Sequence, residues 1–385
     1  MKIIDLYAGP GGWDEGLSLA RPGKDDVVGI EFDLSACQTA EAAGHRRIHS
    51  DITELSPRKV ADDLGGCDYI HASPPCQGFS IAGHGRGRAD GDRILATIAT
   101  LRYFPDRVNN YLAEFEDESN DPRSVLTLEP LRWIADLEPE YITLEQVPTV
   151  LSIWQAYAKT LESWGYSVWT GIIHAETHGV PQSRKRAILM ARKGEHEITP
   201  PPVTHSRYYS RNPSKLDEGV KRWSSMRDVF GDDLGDEIDT QQSNYSAPAA
   251  YPGQTAAERG LGERDLDLPS FAMTTKGGYW LASGTRPNAS VRGADEPSVT
   301  LAFGNDAASF VFGPGEKVKP EEVTALKREN RVRRISPTEA GMIQSFRADY
   351  PWQGKKSVQY EQVGNAVPPL LSKAITAHLL DSESV

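Results

Sequence analysis

Cysteine is scarce in this 385-residue chain. Cys37, Cys67 and Cys76 are the only three, an odd number, and no two stand in a Cys-x-x-Cys pair. That pattern suggests neither a disulfide framework nor a zinc site built on paired thiolates, and free thiols suit a reducing compartment. Long apolar runs are missing as well, none approaching the ~20 residues of a membrane span. The first apolar stretch, Ile3 to Leu6, is too short for a signal peptide and reads as a strand. A cytoplasmic protein without a membrane partner is therefore expected. There is no Walker lysine and no second phosphate-type glycine run, which favours a nucleoside ligand over a nucleoside triphosphate. A surplus of positive charge is also lacking. Lys and Arg number 42 against 54 Asp and Glu, a net charge of −12, which counts against a nucleic-acid partner unless cations gather locally.

They do gather. Between His205 and Arg227 stand Arg207, Arg211, Lys215, Lys221, Arg222 and Arg227 against Asp217 and Glu218, with Tyr208, Tyr209 and Trp223 interleaved. A second basic cluster holds Lys327, Arg328, Arg331, Arg333 and Arg334, while acid concentrates between Asp228 and Asp239. On charge alone, a solvated face explains each basic run as well as a phosphate-binding one does. The length suits one large and one smaller domain.

The most informative segment is Ser73-Pro74-Pro75-Cys76-Gln77-Gly78-Phe79-Ser80, which follows the strand-like Asp68 to Ala72. Two prolines fix φ twice, remove two donors and stiffen the turn. A cysteine on a stiff turn beyond a strand end is well placed as a nucleophile, although a lone cysteine also fits a small buried hydrophobe.

The first half reads as an α/β doubly wound, mostly parallel sheet of Rossmann-like type. Residues 2–8 form a strand, Gly9-Pro10-Gly11-Gly12 a tight turn, and Trp13 to Ala20 a helix, the arrangement that brings backbone amides to a ligand. Val27 to Glu31 is a strand ending in an acid, where ribose hydroxyls are commonly bound. Asp51-Ile52 marks a further turn at which a carboxylate meets an adenine amine or simply caps a helix. The stretch 83–120, with Gly83, Gly85, Gly87, Gly91 and Arg86, Arg88, Arg93, begins as a polar loop and is a candidate lid whose arginines suit phosphates. Residues 123–137 read as a helix, and Tyr141 to Leu144 as a strand that delivers Glu145 to the same edge as Cys76. A strand from Val168 to His174 leads to Gln182-Ser183-Arg184-Lys185-Arg186, in which Arg184 and Arg186 share one face.

Taken in order, these segments resemble the cytosine-C5 DNA methyltransferases that use S-adenosylmethionine. The resemblance spans nearly the whole chain. It rests on Asp5-Leu6-Tyr7-Ala8-Gly9-Pro10-Gly11-Gly12, Glu31, Asp51-Ile52, Pro74-Pro75-Cys76-Gln77, Asp121-Pro122-Arg123-Ser124-Val125-Leu126 and Glu145-Gln146-Val147. It continues through Gln182 to Arg186, Arg334 to Glu339 with Gln344 and Phe346, and Gly364-Asn365-Ala366-Val367-Pro368-Pro369. The resemblance implies a Cys76 thiolate that adds to C6 of a flipped-out cytosine, Glu145 at N3 and the exocyclic amine, and Arg184 at O2, with Gln77 and Arg186 as supports. It implies a cofactor pocket of Tyr7, Gly9, Gly11, Gly12, Trp13, Glu31, Phe32, Asp51, Ile52, Pro75, Leu126, Asn365 and Ala366.

By the same resemblance, residues 1–194 form the catalytic domain, 195–330 a smaller β-rich target-recognition domain and 331–385 a segment returning to the first. Strand-like runs at Phe271 to Thr275, Tyr279 to Ala282, Ser298 to Phe303 and Phe310 to Phe312 fit the second region, as does the pair Thr300-Leu301. A plain β-rich accessory domain accounts for the same composition. Ser80, Arg86, Arg88, Arg207, Arg211 and Thr300 are the expected contacts to double-stranded DNA. A monomer is expected, and a companion restriction endonuclease is left open. The family usually carries Asn after its motif glutamate. Gln146 stands there, a methylene longer, and is read as a tolerated variant, although its extra length could shift the loop of Glu145 relative to Pro75 and Cys76. An RNA cytosine methyltransferase and a catalytically silent DNA-binding relative are the competing readings. Intact Cys76, Glu145 and Arg184 weigh against the second.

Overall fold

The computed structural model describes residues 1–75, 90–119, 121–206, 218–230, 297–298, 309–311 and 332–381. In chain order its elements are β1 (Lys2–Leu6), α1 (Gly12–Ala20), β2 (Asp26–Glu31), α2 (Leu34–Ala42), β3 (Arg46–His49), α3 (Pro57–Leu64), β4 (Tyr69–Ala72), α4 (Gly91–Leu101), α5 (Val108–Glu118) and α6 (Glu129–Leu137). They continue with β5 (Tyr141–Gln146), α7 (Leu151–Ser163), β6 (Tyr166–His174), β7 (Lys185–Lys193), α8 (Met226–Phe230), β8 (Ser309–Val311), β9 (Val332–Arg334), α9 (Pro337–Ile343), α10 (Lys356–Asn365) and α11 (Pro369–Asp381).

Seven strands form one sheet in the order β3-β2-β1-β4-β5-β7-β6. The pairs among β1 to β5 are parallel, and β7 runs antiparallel to β5 and β6. The expected α/β class is what the chain forms. Apolar cores cover both faces. One gathers α3 to α7, and the other sets α1 and α11 against β1, β4, β5 and β7. This explains why β4 and β5 are buried at every residue, as parallel strands covered on both sides must be.

Sheet order reverses between β1 and β4, and such a switch point opens a ligand crevice beyond the strand ends. Leu6 pairs with Ala72, and Ala72 with Leu144, so Tyr7, Ser73 and Glu145 emerge level along one edge. The chain's last helix closes the other side of that edge, where Ser372 Oγ donates to the Trp13 carbonyl at 3.0 Å. The approach is close enough to require glycine. A Cβ on Gly12 would stand 2.1 Å from the Val367 carbonyl oxygen.

One expectation about local structure changes and another is only partly covered, since residues 83–89 lie outside the described residues. The stretch expected to begin as a polar loop becomes helical at Gly91, because Ile94, Ile98 and Leu101, then Val108, Leu112 and Phe115, recur at helical spacing and are buried. Within it, Ile98 O accepts a bond from Thr160 Oγ1 of α7 at 3.0 Å. The single helix expected over 123–137 is instead a 3-10 turn, Pro122–Thr127, followed by α6. Asp121 Oδ1 starts the turn by accepting the Arg123 amide at 3.0 Å. Pro130 cannot donate to the preceding turn and so prevents one continuous helix.

Most of the expected second domain lies outside the described residues, including the runs 271–275 and 279–282. The run expected at Phe310 appears as β8, paired antiparallel with β9. Ser298 forms a bridge to the segment before β7. Its amide donates to Pro181 O at 2.7 Å, and its carbonyl accepts the Ser183 amide at 2.8 Å.

Candidate active site

The glycine turn after β1 is held from several sides. Tyr7 adopts φ 61°, a strained conformation for a bulky residue. Its hydroxyl donates to Leu126 O at 2.9 Å, and its carbonyl accepts Ser73 Oγ at 3.2 Å. Tyr7 thereby joins the first turn, the turn before Cys76 and the 122–127 turn. Glu31 uses one carboxylate oxygen for the Gly9 amide and the other for the Asp33 amide, both at 2.8 Å. Each oxygen keeps a second lone pair, so ribose hydroxyls can still be accepted there. Gly9 has φ 55° and open space where a Cβ would stand, leaving its backbone approachable. Next to Glu31, the Phe32 ring is 71% exposed, an apolar plane available for stacking.

Asp51 is a cap. Its Oδ1 accepts the Thr53 amide at 3.0 Å and the Thr53 hydroxyl at 2.8 Å. Buried Ile52 is fixed from behind by Arg132, which donates to Ile52 O at 2.8 Å and Leu55 O at 2.9 Å and pairs with Glu129 at 2.7 Å. Arg132 was not singled out in the sequence, although its spacing of three from Glu129 is a helical ion-pair signal. The Trp13 side chain is buried and stacked on His71, ring centroids 3.5 Å apart, so its backbone is the part it offers to a ligand. Leu126 and Pro75 are half-buried, Ala366 is buried and Asn365 is exposed at the end of α10.

A buried polar group lies beneath the turn. Arg47 pairs with Asp14 at 2.7 Å, with the two side chains 0% and 2% exposed. Burial alone would raise the Asp14 carboxyl, but Arg47 pulls it below the usual carboxylate range. Asp5, fully buried on β1, is pushed well up by burial and then by Asp14. His71 is held neutral by burial, and its Nδ1 lies 2.8 Å from Thr143 Oγ1.

At the end of β5, buried Glu145 meets Arg186, with Nε 2.6 Å from Oε1. Arg184 goes elsewhere. It is 1% exposed and donates through Nη2 to Gly364 O at 2.9 Å and Ala366 O at 3.1 Å, securing the returning segment to β7. The arginine that touches Glu145 is Arg186, while Arg184, expected at O2 of the cytosine, holds the Gly364 and Ala366 carbonyls. Gln146 Nε2 donates to Pro74 O at 2.5 Å, and Gln146 Oε1 accepts the Val147 amide. Cys76, Gln77, Ser80, Arg86, Arg88, Arg207, Arg211 and Thr300 lie outside the described residues.

His178, in the turn between β6 and β7, has its pKa lowered to about 4, chiefly by burial and secondly by His205. The native state thus binds fewer protons than the unfolded chain. Stability carried by neutral His178 is present above pH ~6.5 and drains as pH falls toward 4, at about 1.4 kcal/mol per pH unit. His178→Gln should flatten the decline in unfolding midpoint between pH 6.5 and 4. A decline as steep as wild type would contradict this assignment.

The chain has counterparts among known proteins. The family model for C-5 cytosine-specific DNA methylase matches residues 1–102 and 115–381, leaving unmatched within that span only the connection after α4 and the first part of α5. The chain is 26% identical to the Type II methyltransferase M.DdeI of Desulfomicrobium norvegicum, over 98% of this chain and 88% of that protein. It is also 26% identical to the Type II methyltransferase M1.HphI of Haemophilus parahaemolyticus, over 99% and 87%. The crystal structure of the S. pombe Dnmt2 methyltransferase shares the fold, with a TM-score of 0.60 and 17% identity over 100% of both chains.

Proposed function

This chain belongs to the C-5 cytosine-specific DNA methylase family, and from that premise we propose its full reaction. It moves a methyl group from S-adenosylmethionine to C5 of a cytosine flipped out of a short, specific sequence of double-stranded DNA, through a covalent bond between Cys76 and C6. The observation that supports this best is the convergence of three strand ends at the switch point. They bring the Glu31-clamped glycine turn, the Pro74-Pro75 turn and the Glu145–Arg186 pair to one edge.

S-adenosylmethionine, when bound, supplies an electrophilic methyl group. Glu31 would accept the ribose hydroxyls, Phe32 would stack on the adenine, and Asp51 and Ile52 would frame it. Backbone from Gly9 to Trp13 would receive the remainder, with Tyr7, Pro75, Leu126, Asn365 and Ala366 closing the pocket. The fit rests on the open face at Gly9, the spare lone pairs of Glu31 and the exposed Phe32 ring.

C5 of cytosine is a weak nucleophile. The Cys76 thiolate forms an S–C6 bond, and the displaced electron pair moves to N3, where Glu145 gives up a proton. The ring is then an enamine, nucleophilic at C5. After C5 takes the methyl group, which would leave S-adenosylhomocysteine, the C5 proton passes to solvent, its electron pair re-forms the C5–C6 double bond, the S–C6 bond breaks to return the Cys76 thiolate, and N3 returns its proton to Glu145. Arg186 orients Glu145 and neutralises charge developing at O2, while Arg184 secures the 364–366 segment. None of this chemistry fits inside a stacked duplex, so the base must leave the helix. Residues 195–330 read the sequence, and the enzyme acts as a cytoplasmic monomer.

The test offers labelled S-adenosylmethionine with mixed-sequence duplex DNA or RNA to the wild type and Cys76→Ala. Label should enter DNA only, and only with the wild type. Incorporation into RNA alone, or equal incorporation by Cys76→Ala, would overturn the reading.

A further inference from the structure

The parallel ladder between β4 and β5 runs from Tyr69–Tyr141 to Ala72–Leu144 and then stops. It stops because Pro74 and Pro75 have no amide hydrogen to continue it. The chain beyond Ala72 and the chain beyond Leu144 nevertheless carry the two groups that must meet one cytosine, Cys76 and Glu145. A side chain spans the place where the backbone ladder fails. Gln146 is 8% exposed, its Nε2 donates to Pro74 O at 2.5 Å, and its Oε1 accepts the Val147 amide. The carboxamide is thus satisfied at both ends, pointing one way to the cysteine turn and the other along its own loop.

We propose that Gln146 is the positioning residue that sets the spacing between the Pro74–Pro75 turn, which leads to Cys76, and Glu145, and that its length is required. This rests on the methyltransferase reading above and deepens it. Glu145 is gripped on the β7 side by Arg186, and Gln146, the next residue, is gripped on the β4 side by Pro74. The two grips fix the loop between neighbouring strands, so shortening one must move a reactive group. Asn would withdraw the amide by one C–C bond, about 1.5 Å, taking the donor out of reach of Pro74 O unless a loop shifts. Glu would keep the length and the acceptor but offer no N–H. The substitution that makes this chain more like its family is therefore expected to damage it.

Gln146→Asn and Gln146→Glu are compared with wild type in single-turnover methylation of duplex DNA, with rates taken per cofactor-binding site so that unfolded protein does not count. Both variants should bind S-adenosylmethionine within about 2-fold of wild type and lose about 10- to 100-fold in the methyl-transfer step, as expected when a reacting group is misplaced by about 1 Å. Without cofactor, exchange of the Ser73 amide, which donates to Leu6 O at 3.2 Å, should accelerate several-fold in both, because the Pro74 turn has lost its tether. Gln146→Asn turning over within 2-fold of wild type would overturn the proposal, as would unchanged exchange at Ser73. A wild-type enzyme that methylates no DNA would instead overturn the underlying reading.

Discussion

Arg186→Ala transfers methyl groups about 100- to 1,000-fold more slowly than wild type, yet binds S-adenosylmethionine nearly as well. The guanidinium Nε sits 2.6 Å from Glu145 Oε1 at a carboxylate only 4% exposed. Removing it leaves a buried carboxylate without its cation. Loss of one preorganised charge of this kind costs about 10²–10³ in rate. Arg184→Ala separates the two arginines. Its Nη2 bonds are to the Gly364 and Ala366 carbonyls, so its loss should lower thermal stability first and reduce activity mainly by loosening the pocket wall at 364–366. Stopped-flow or quench-flow rates for both variants, beside cofactor titrations and melting curves, decide the matter. The assignment is wrong if Arg184→Ala shows the larger drop in rate while keeping wild-type stability.

Arg47→Met gives the largest expected loss of stability. The Arg47–Asp14 pair is sealed from solvent, and Arg47 Nε also reaches toward Gly9 O at 3.4 Å. Removing one member of a buried pair costs about 3–5 kcal/mol because the survivor is an uncompensated charge. For a domain of this size that corresponds to a melting shift on the order of 10 °C. The double variant Asp14→Asn with Arg47→Met should recover part of the loss, since no unpaired charge remains. A double variant no more stable than the single would show that packing, and not charge, is what Arg47 provides.

The pairing also shows what a linear reading could not reach. Asp14 and Arg47 are 33 positions apart and meet only because β3 lies two strands from β1 and turns Arg47 under the first helix. No local spacing announces them. By contrast, the glycine turn, Glu31, the strand to Ala72 and the delivery of Glu145 by β5 were legible, because each is a local pattern of apolar run, turn residue and acid. The arginines show the limit of such patterns. Alternation puts Arg184 and Arg186 on one face, but which of them meets Glu145 depends on β5–β7 register, in which Glu145 pairs with Ile188, and on the 364–366 segment returning to occupy Arg184. Gln146 was visible as a departure from its family, while its bond to Pro74 depends on how β4 and β5 end. The hairpin of α4 and α5 was hidden by its glycine- and arginine-rich approach, although its apolar spacing was helical throughout.

The account stands most directly on where methyl groups appear in DNA. Plasmid from a methylation-free bacterial host expressing this chain is sequenced after bisulfite treatment, beside plasmid from a host expressing Cys76→Ala. The account predicts cytosines protected at one position of one short sequence with the wild type and none with the variant. Protection that persists with Cys76→Ala would contradict the covalent mechanism, and its absence with both would contradict DNA as the substrate.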